Sequence, residues 1–439
     1  MKKIRYMLGA ALMTAPLFMQ AQTPGLSLEQ AVETGLKNRY DVQADRYDLD
    51  LAANSVEKAK KEWIPDLAGN GNIRYNSQIQ KSLIPAGFAG LPDPLLLGLG
   101  AKNISIFGLD LSQPVYRPGI TTDVKVAKNN LELQKERNRQ DENQIRQKIT
   151  ESYLNVLLRE LQWKIAANNE QRYAEYLGVA EGRMNNGSLI ENDYLKSKLD
   201  HDNARVETQK AKQNYELSLI NLKYQINVAP ETDVRLSATL DDVKLVDGRL
   251  SASAAVENRT EIRQLRLQMD GGKLMVSRMR QNAIPTISVI ANYSQQFTYN
   301  NFDYSLRKWW SPFSYVGLRF SVPITSNFKN HNAIREQQLR LARSDWDLKQ
   351  KTADVNYQIS SASTELDNAR QNMETAKNNY DLSKTVYENQ KLQYGFGSLQ
   401  YGSLLDTERS LATAEQNYIK SVYDYLVAQV GYQKAVGNF

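Results

Sequence analysis

Residues Arg183–Asn192 read RMNNGSLIEN, and residues Gln393–Gly402 read QYGFGSLQYG. Both hold Gly-Ser-Leu, with Gly187 and Gly397 standing 210 residues apart. Each glycine interrupts a long, polar-striped segment, which predicts a tight turn between two long helices. Glycine takes the left-handed backbone of such a turn without the steric cost other residues incur. Nothing beside either turn has the make-up of a catalytic group.

Working outward, the prolines set the limits of the helices. The twelve prolines leave 119–229 and 324–439 free, and an interior proline costs a helix about 3 kcal/mol. The two tracts are copies. Ile145, Ile149, Ser152, Val156, Arg159, Trp163, Ala166, Glu170, Tyr173, Leu177, Ala180 and Met184 follow alternating steps of four and three. Adding 210 gives Val355, Ile359, Ala362, Leu366, Ala369, Met373, Ala376, Tyr380, Ser383, Tyr387, Gln390 and Tyr394. Both are heptad seams in one phase. A helix from Gly119 to Met184 would be about 100 Å long at 1.5 Å per residue, which calls for a tube or bundle of similar helices.

Upstream, Asn38-Arg39 recurs as Asn258-Arg259, and Ile64-Pro65 as Ile284-Pro285, at an offset of 220. The change of offset places one longer hairpin in the first copy, before Ser112–Pro114, which matches Ser321–Pro323. These intervals alternate in polarity. Ile287, Val289, Ala291 and Tyr293 face away from Ser288, Asn292 and Ser294; Val316, Leu318, Phe320 and Val322 face away from Tyr315, Arg319 and Ser321. Leu67, Ile73 and Tyr75 alternate with Asn70, Asn72 and Arg74, and Phe107, Leu109 and Leu111 with Asp110 and Ser112, with a phase slip at Ile106 that suggests a bulge. Alternation over about ten residues is the pattern of membrane strands. Ten of the 39 aromatics lie in 293–320, and Trp309, Trp310 and Phe313 are expected at a membrane interface, where one edge of each ring is wet. The apolar loop 81–101 could cap the outer mouth or touch lipid.

Bulk properties narrow the function. MKKIRYMLGAALMTAPLFMQAQ opens the chain with three cations, an apolar run and Ala21, the pattern of a signal peptide over 1–21. Its loss lowers the net charge from +6 to +3, so a nucleic-acid surface is not indicated. The absence of cysteine excludes disulfides, thiolate metal sites and a lipid anchor on cysteine. His201 and His331 lack a second imidazole at ligand spacing, and no cofactor is expected. No stretch after the signal peptide reaches the roughly 18 to 20 apolar residues of a membrane helix, so membrane entry requires a barrel. Four strands cannot close one. Two chains would supply eight strands and three would supply twelve.

The expected organisation is a first repeat, 22–227, with a helix, a strand hairpin 66–113, a long helix 119–184 and a returning helix 188–227. A linker, 228–254, leads to a second repeat, 255–439, with a helix, a hairpin 286–322, a long helix 326–394 and a returning helix 398–437. This order resembles the TolC-like outer-membrane efflux protein family from about Leu26 to the end. The markers are the duplicated NR(Y/T)(D/E)(V/I), the Ile-Pro before each first strand, the Gln-Pro and Val-Pro after each second strand, and the paired Gly-Ser-Leu turns. The resemblance implies a mixed α/β membrane protein: a homotrimer with a twelve-stranded transmembrane β-barrel in the outer-membrane bilayer and a periplasmic α-barrel of long antiparallel helices. It also implies that 228–254 contributes to an equatorial belt. The implied function is a passive exit duct joined to a periplasmic adaptor and an inner-membrane pump, in tripartite efflux or type I secretion. The turns at Gly187, Ser188, Gly397 and Ser398 would then form the periplasmic tip.

Ser188 and Glu191 read as a capping box for the returning helix. By the resemblance, Asp193 would bond Tyr394 across the repeats as a gate latch; the plainer reading of Asp193 is an acid favoured at a helix N-terminus. Asp406 occupies one of the family's two acidic-ring positions and Ser403 the other, while S-x-x-D from Ser403 to Asp406 also reads as a cap. Two other classes stand beside the channel. A secreted coiled-coil scaffold or adaptor would need no detergent, and an enzyme would need a clustered nucleophile and base that the sequence lacks.

Overall fold

The computed structural model describes residues 25–90, 92–240, 243, 252–396 and 398–439. The expected signal peptide, Gly397 and most of the 241–251 stretch lie outside the described residues. The helices are α1 (Leu28–Asn38), α2 (Tyr40–Lys61), α3 (Pro118–Asn185), α4 (Glu191–Gln225), α5 (Ala252–Asn258), α6 (Thr260–Gln281), α7 (Ser326–Gly395) and α8 (Tyr401–Ala435). The strands are β1 (Asp66–Tyr75), β2 (Lys81–Ile84), β3 (Leu95–Gly98), β4 (Asn103–Tyr116), β5 (Thr286–Tyr299) and β6 (Trp310–Ser321). Among the described residues no helix is long and apolar enough to cross a membrane.

Two compact units emerge. One holds the chain up to Asn38 with Lys148–Val246 and Ala369–Val427; the other holds Arg39–Gln147, Asp247–Asn368 and Ala428–Phe439. In the first, Ile149, Tyr153, Leu154, Val156, Leu222 and Ile226 are buried. The Tyr153 hydroxyl donates to the Leu26 carbonyl at 3.0 Å, so a ring that closes the apolar core also satisfies the entering backbone.

The second unit contains the sheet, in the order β1-β4-β5-β6 with every neighbouring pair antiparallel. The duplicated sequence marks explain how the chain enters it. Arg39 and Arg259 are the extended residues before α2 and α6. Each turns its guanidinium onto the acid two residues on, Arg39 to Asp41 at 2.6 Å and Arg259 to Glu261 at 2.8 Å. Ile64-Pro65 and Ile284-Pro285 follow the ends of α2 and α6, because a residue before proline is pushed out of the helical region. Strands β1 and β5 start directly afterwards.

The suspected bulge at Ile106 is absent. Register runs unbroken from Asn103 to Ser112 against both neighbours, and the shift lies between Pro114 and Tyr116. Pro114 has no N–H to give the ladder, so the irregularity belongs there. The change of polarity near Ile106 has another cause: the chain after β5 covers the sheet at that end. The Ser105 and Tyr304 hydroxyls are 2.9 Å apart, and Asn103 Nδ2 donates to the Asn300 carbonyl at 2.9 Å. Within the longer first loop, β2 and β3 pair as a small hairpin, Leu83 opposite Leu96.

Helix α7 keeps its seam. From Gln371 to Tyr394 the residues withdrawn from solvent are Met373, Ala376, Tyr380, Ser383, Tyr387, Gln390 and Tyr394. That is a strict seven-residue repeat, and such a repeat holds one stripe of a slightly underwound helix against its neighbours. Helix α3 departs from this over Ser152–Leu158, where six of the seven residues are buried and Asn155 alone is not.

Candidate functional site

The serines of the two Gly-Ser-Leu segments bond back to the preceding helix in the same way. The Gly187 N–H donates to the Met184 carbonyl at 2.9 Å, and the Ser188 N–H to the Arg183 carbonyl at 2.9 Å. With Gly187 at φ +69, this is a Schellman-type helix end. The Ser188 hydroxyl donates to the same Arg183 carbonyl at 3.0 Å. At the second turn the Ser398 N–H and hydroxyl donate to the Gln393 carbonyl at 3.0 and 2.9 Å.

These bonds correct the capping-box reading. Ser188 ends α3 and does not start α4, whose N-cap is Ile190 with no side-chain cap. The returning helices therefore begin at Glu191 and Tyr401, later than 188 and 398. Ser403 likewise is not a cap, since α8 already includes it and its carbonyl accepts from the Thr407 hydroxyl at 3.1 Å. Asp193 lies with Glu191 in the first turn of α4, where the helix dipole favours a negative charge. Asp406 lies in α8, its carbonyl accepting from the Ser410 hydroxyl at 2.8 Å.

Tyr394 is buried, packed with Tyr176, Tyr387, Leu404 and Leu411. Its ring lies under the Arg183 guanidinium at 4.7 Å. Among the described residues no hydrogen bond joins Asp193 to Tyr394. Beside this cluster is a polar network that the sequence did not announce. Arg172 Nε donates to Glu408 Oε1 at 2.6 Å, and Glu408 is 1% exposed. The Tyr176 hydroxyl reaches Glu408 Oε2 at 3.4 Å and the Tyr387 hydroxyl at 2.6 Å. Burial pushes the Tyr176 phenol far up, with the Tyr387 hydrogen bond adding to it. Burial alone would lower Arg172, but the Glu408 carboxylate more than reverses this. The sequence did carry a signal. Positions 210 residues away hold Leu382 for Arg172 and Lys198 for Glu408, so the repeats differ in charge at both positions.

On the sheet, register puts Leu67, Leu111, Ala291 and Val316 in one row across all four strands, flanked by Leu109 beside Tyr293 and by Val289 beside Leu318. Most of this apolar face is exposed, with Val316 at 81%. The other face carries a polar row. Asp110 accepts from Asn70 at 2.5 Å and from Asn292 at 2.7 Å, and the Ser294 hydroxyl donates to Asn292 at 2.9 Å.

At the loop end of the sheet, Phe297 is fully buried against Tyr304 and Trp310. The Trp310 indole N–H donates to the Tyr304 carbonyl at 2.9 Å. Trp309 stacks on Tyr299 at 4.8 Å and carries the Lys308 ammonium on its ring. Phe313 does not join them. It pairs with Ser294 and so belongs to the polar face, because Trp310 and Phe313 are an odd number of residues apart. Among the described residues, no group of three or more His, Asp or Glu could hold a metal ion.

Comparison with known proteins places this arrangement. A sequence search finds no match among curated proteins. Among solved structures, the chain is similar to CusC, described for its transmembrane channel formation, with a TM-score of 0.75 and 16% identity over 94% of this chain and 92% of that one. It is similar to the CmeC outer membrane channel of Campylobacter jejuni, with a TM-score of 0.75 and 15% identity over 94% and 85%. It is also similar to the open state of the MtrE outer membrane channel of Neisseria gonorrhoeae, with a TM-score of 0.74 and 13% identity over 93% and 88%. The family model for outer membrane efflux proteins matches residues 31–227 and 252–438, both repeats together. The chain belongs to the outer membrane efflux protein family.

Proposed function

We propose that three copies of this chain form an outer-membrane duct: a twelve-stranded barrel in the bilayer, continued by a tube of long helices into the periplasm. The observation that carries the proposal is the sheet. It has four strands, two open edges, an exposed apolar face and a hydrogen-bonded polar face. An exposed apolar face of this kind needs lipid or a partner to cover it. Open edges need pairing, and β6 of one copy against β1 of the next supplies it. Three copies give a barrel wide enough for an aqueous lumen, whereas eight strands would be filled by their own side chains. Asp110, Asn70, Asn292 and Arg319 then line the lumen.

Such a duct has no energy source of its own and acts with an inner-membrane pump through a periplasmic adaptor that meets the turns at Gly187–Ser188 and at Ser398. Asp193, Tyr394 and Asp406 are the candidate gate. Trp309 and Trp310 anchor the outer rim. Purified protein in a planar lipid bilayer should give discrete single-channel steps. A protein extracted without detergent and silent in the bilayer would support a secreted scaffold and exclude the duct.

A further inference from the structure

A network of half-buried Arg172 with buried Tyr176, Tyr387 and Glu408 joins α3 of the first repeat, α7 and α8 of the second, away from either turn. Glu408 is removed from water and holds a direct ionic hydrogen bond. Arg172 also bonds the Asn169 side chain on its own helix, which fixes the guanidinium before it reaches across. An ionised carboxylate only accepts. The Tyr176 hydroxyl can donate to Glu408 at 3.4 Å, and the Tyr176 and Tyr387 hydroxyls share a hydrogen bond at 2.6 Å in which either can be the donor. Helix α3 thus contributes Arg172 and Tyr176, α7 Tyr387 and α8 Glu408.

We infer that this network is a pivot that holds α8 on α3 while the helix ends below it move, and so sets how far the duct can open. The inference rests on the channel reading above. Its physical ground is an asymmetry in cost. Separating a buried ion pair strands charge away from water and is strongly unfavourable. The serine hydrogen bonds at the turns, Ser188 to Arg183 and Ser398 to Gln393, are exposed and cheap to exchange. Motion that opens the tip is therefore confined to the segment from Glu408 to the turn at Ser398, of which Tyr401–Glu408 is about 11 Å of helix at about 1.5 Å per residue. The pivot is also one-sided. The quasi-equivalent positions are Leu382, Val386, Leu177 and Lys198, which cannot build the same network, so the second copy of this seam is free to slide.

The test uses the full-length protein in planar bilayers, with three variants. Glu408→Gln keeps the shape but removes the charge and should raise mean conductance several-fold. Tyr387→Phe removes one hydroxyl and should raise it by a smaller factor. Arg172→Met with Glu408→Met replaces the pair by an apolar contact and should return conductance to within about twofold of the parent, since well-packed apolar residues can substitute for a buried ion pair. If Glu408→Gln fails to assemble, Tyr387→Phe decides. Unchanged conductance in the assembled single variants, or a double variant as open as Glu408→Gln, would overturn the pivot while leaving the duct intact. A parent protein with no conductance at all would instead overturn the duct reading, and the pivot with it.

Discussion

Substituting arginine at two adjacent positions of β6 tests which face of the sheet meets lipid. Val316 and Tyr315 lie at nearly the same depth but on opposite faces, opposite Ala291 and Asn292 respectively. Strand β6 starts at Trp310. With about 3.4 Å per residue and a tilt of about 45°, each residue descends about 2.4 Å. Val316 then lies about 14 Å below Trp310, near the middle of an apolar band about 25 Å tall. Arginine at the midplane of a barrel's lipid face costs about 2 to 4 kcal/mol. Val316→Arg should therefore destabilise each protomer by about that amount, which is roughly a 30- to 700-fold shift in the folding equilibrium at about 1.4 kcal/mol per factor of ten. Tyr315→Arg, facing water and the Asp110 carboxylate row, should cost less than about 1 kcal/mol. Urea titration of the protein folded into lipid vesicles reads both. Equal losses, or a larger loss for Tyr315→Arg, would refute the assigned facing.

Gly187→Ala should lower stability by about 1 to 2 kcal/mol, seen in thermal melts, entirely through its left-handed backbone, since no atom lies within 4 Å of the added carbon. Tyr394→Ala should cost about 3 kcal/mol or more by emptying a buried ring site, whereas Tyr394→Phe, which keeps the ring packed under Arg183, should lower the melting temperature by much less. A melt in which both variants fall equally would assign the stability to the hydroxyl. Burial first, with Glu408 adding and Arg172 opposing, raises the Glu415 carboxyl above its ordinary value. A raised carboxyl keeps its proton to higher pH when folded than when unfolded, so acidification favours the fold. Glu415→Gln should therefore stabilise at neutral pH, and the gain over the parent should fade as pH drops through the raised folded value. A gain independent of pH would show that Glu415 does not titrate in this way.

The long helices and the four strands of the main sheet were legible because period and punctuation are local properties. Seven-residue spacing on α7 and the proline-free tracts need no tertiary information. The two Ile-Pro marks gave the strand starts for the same reason. What was misread depended on geometry or contacts that residue spacing alone does not carry. Ser188 matches a capping box by spacing, but its hydroxyl has a carbonyl within reach on the helix behind it, and backbone geometry settles which helix it serves. Ile106 looked like a slip because the residues covering that end of β4 come from the chain after Tyr299, nearly 200 residues on. Phe313 was grouped with the tryptophans by proximity in sequence, although strand parity sends it to the other face. Arg172 and Glu408 stand 236 residues apart, and only a comparison of the repeats, position by position, hints that they meet.

The number of chains in the assembly bears most directly on the whole account. Native mass spectrometry of the detergent-extracted protein should give a single species of three chains. A dimer would make an eight-stranded barrel with a filled interior, and a monomer would leave both sheet edges open. Either mass, found as the dominant species, would contradict the duct.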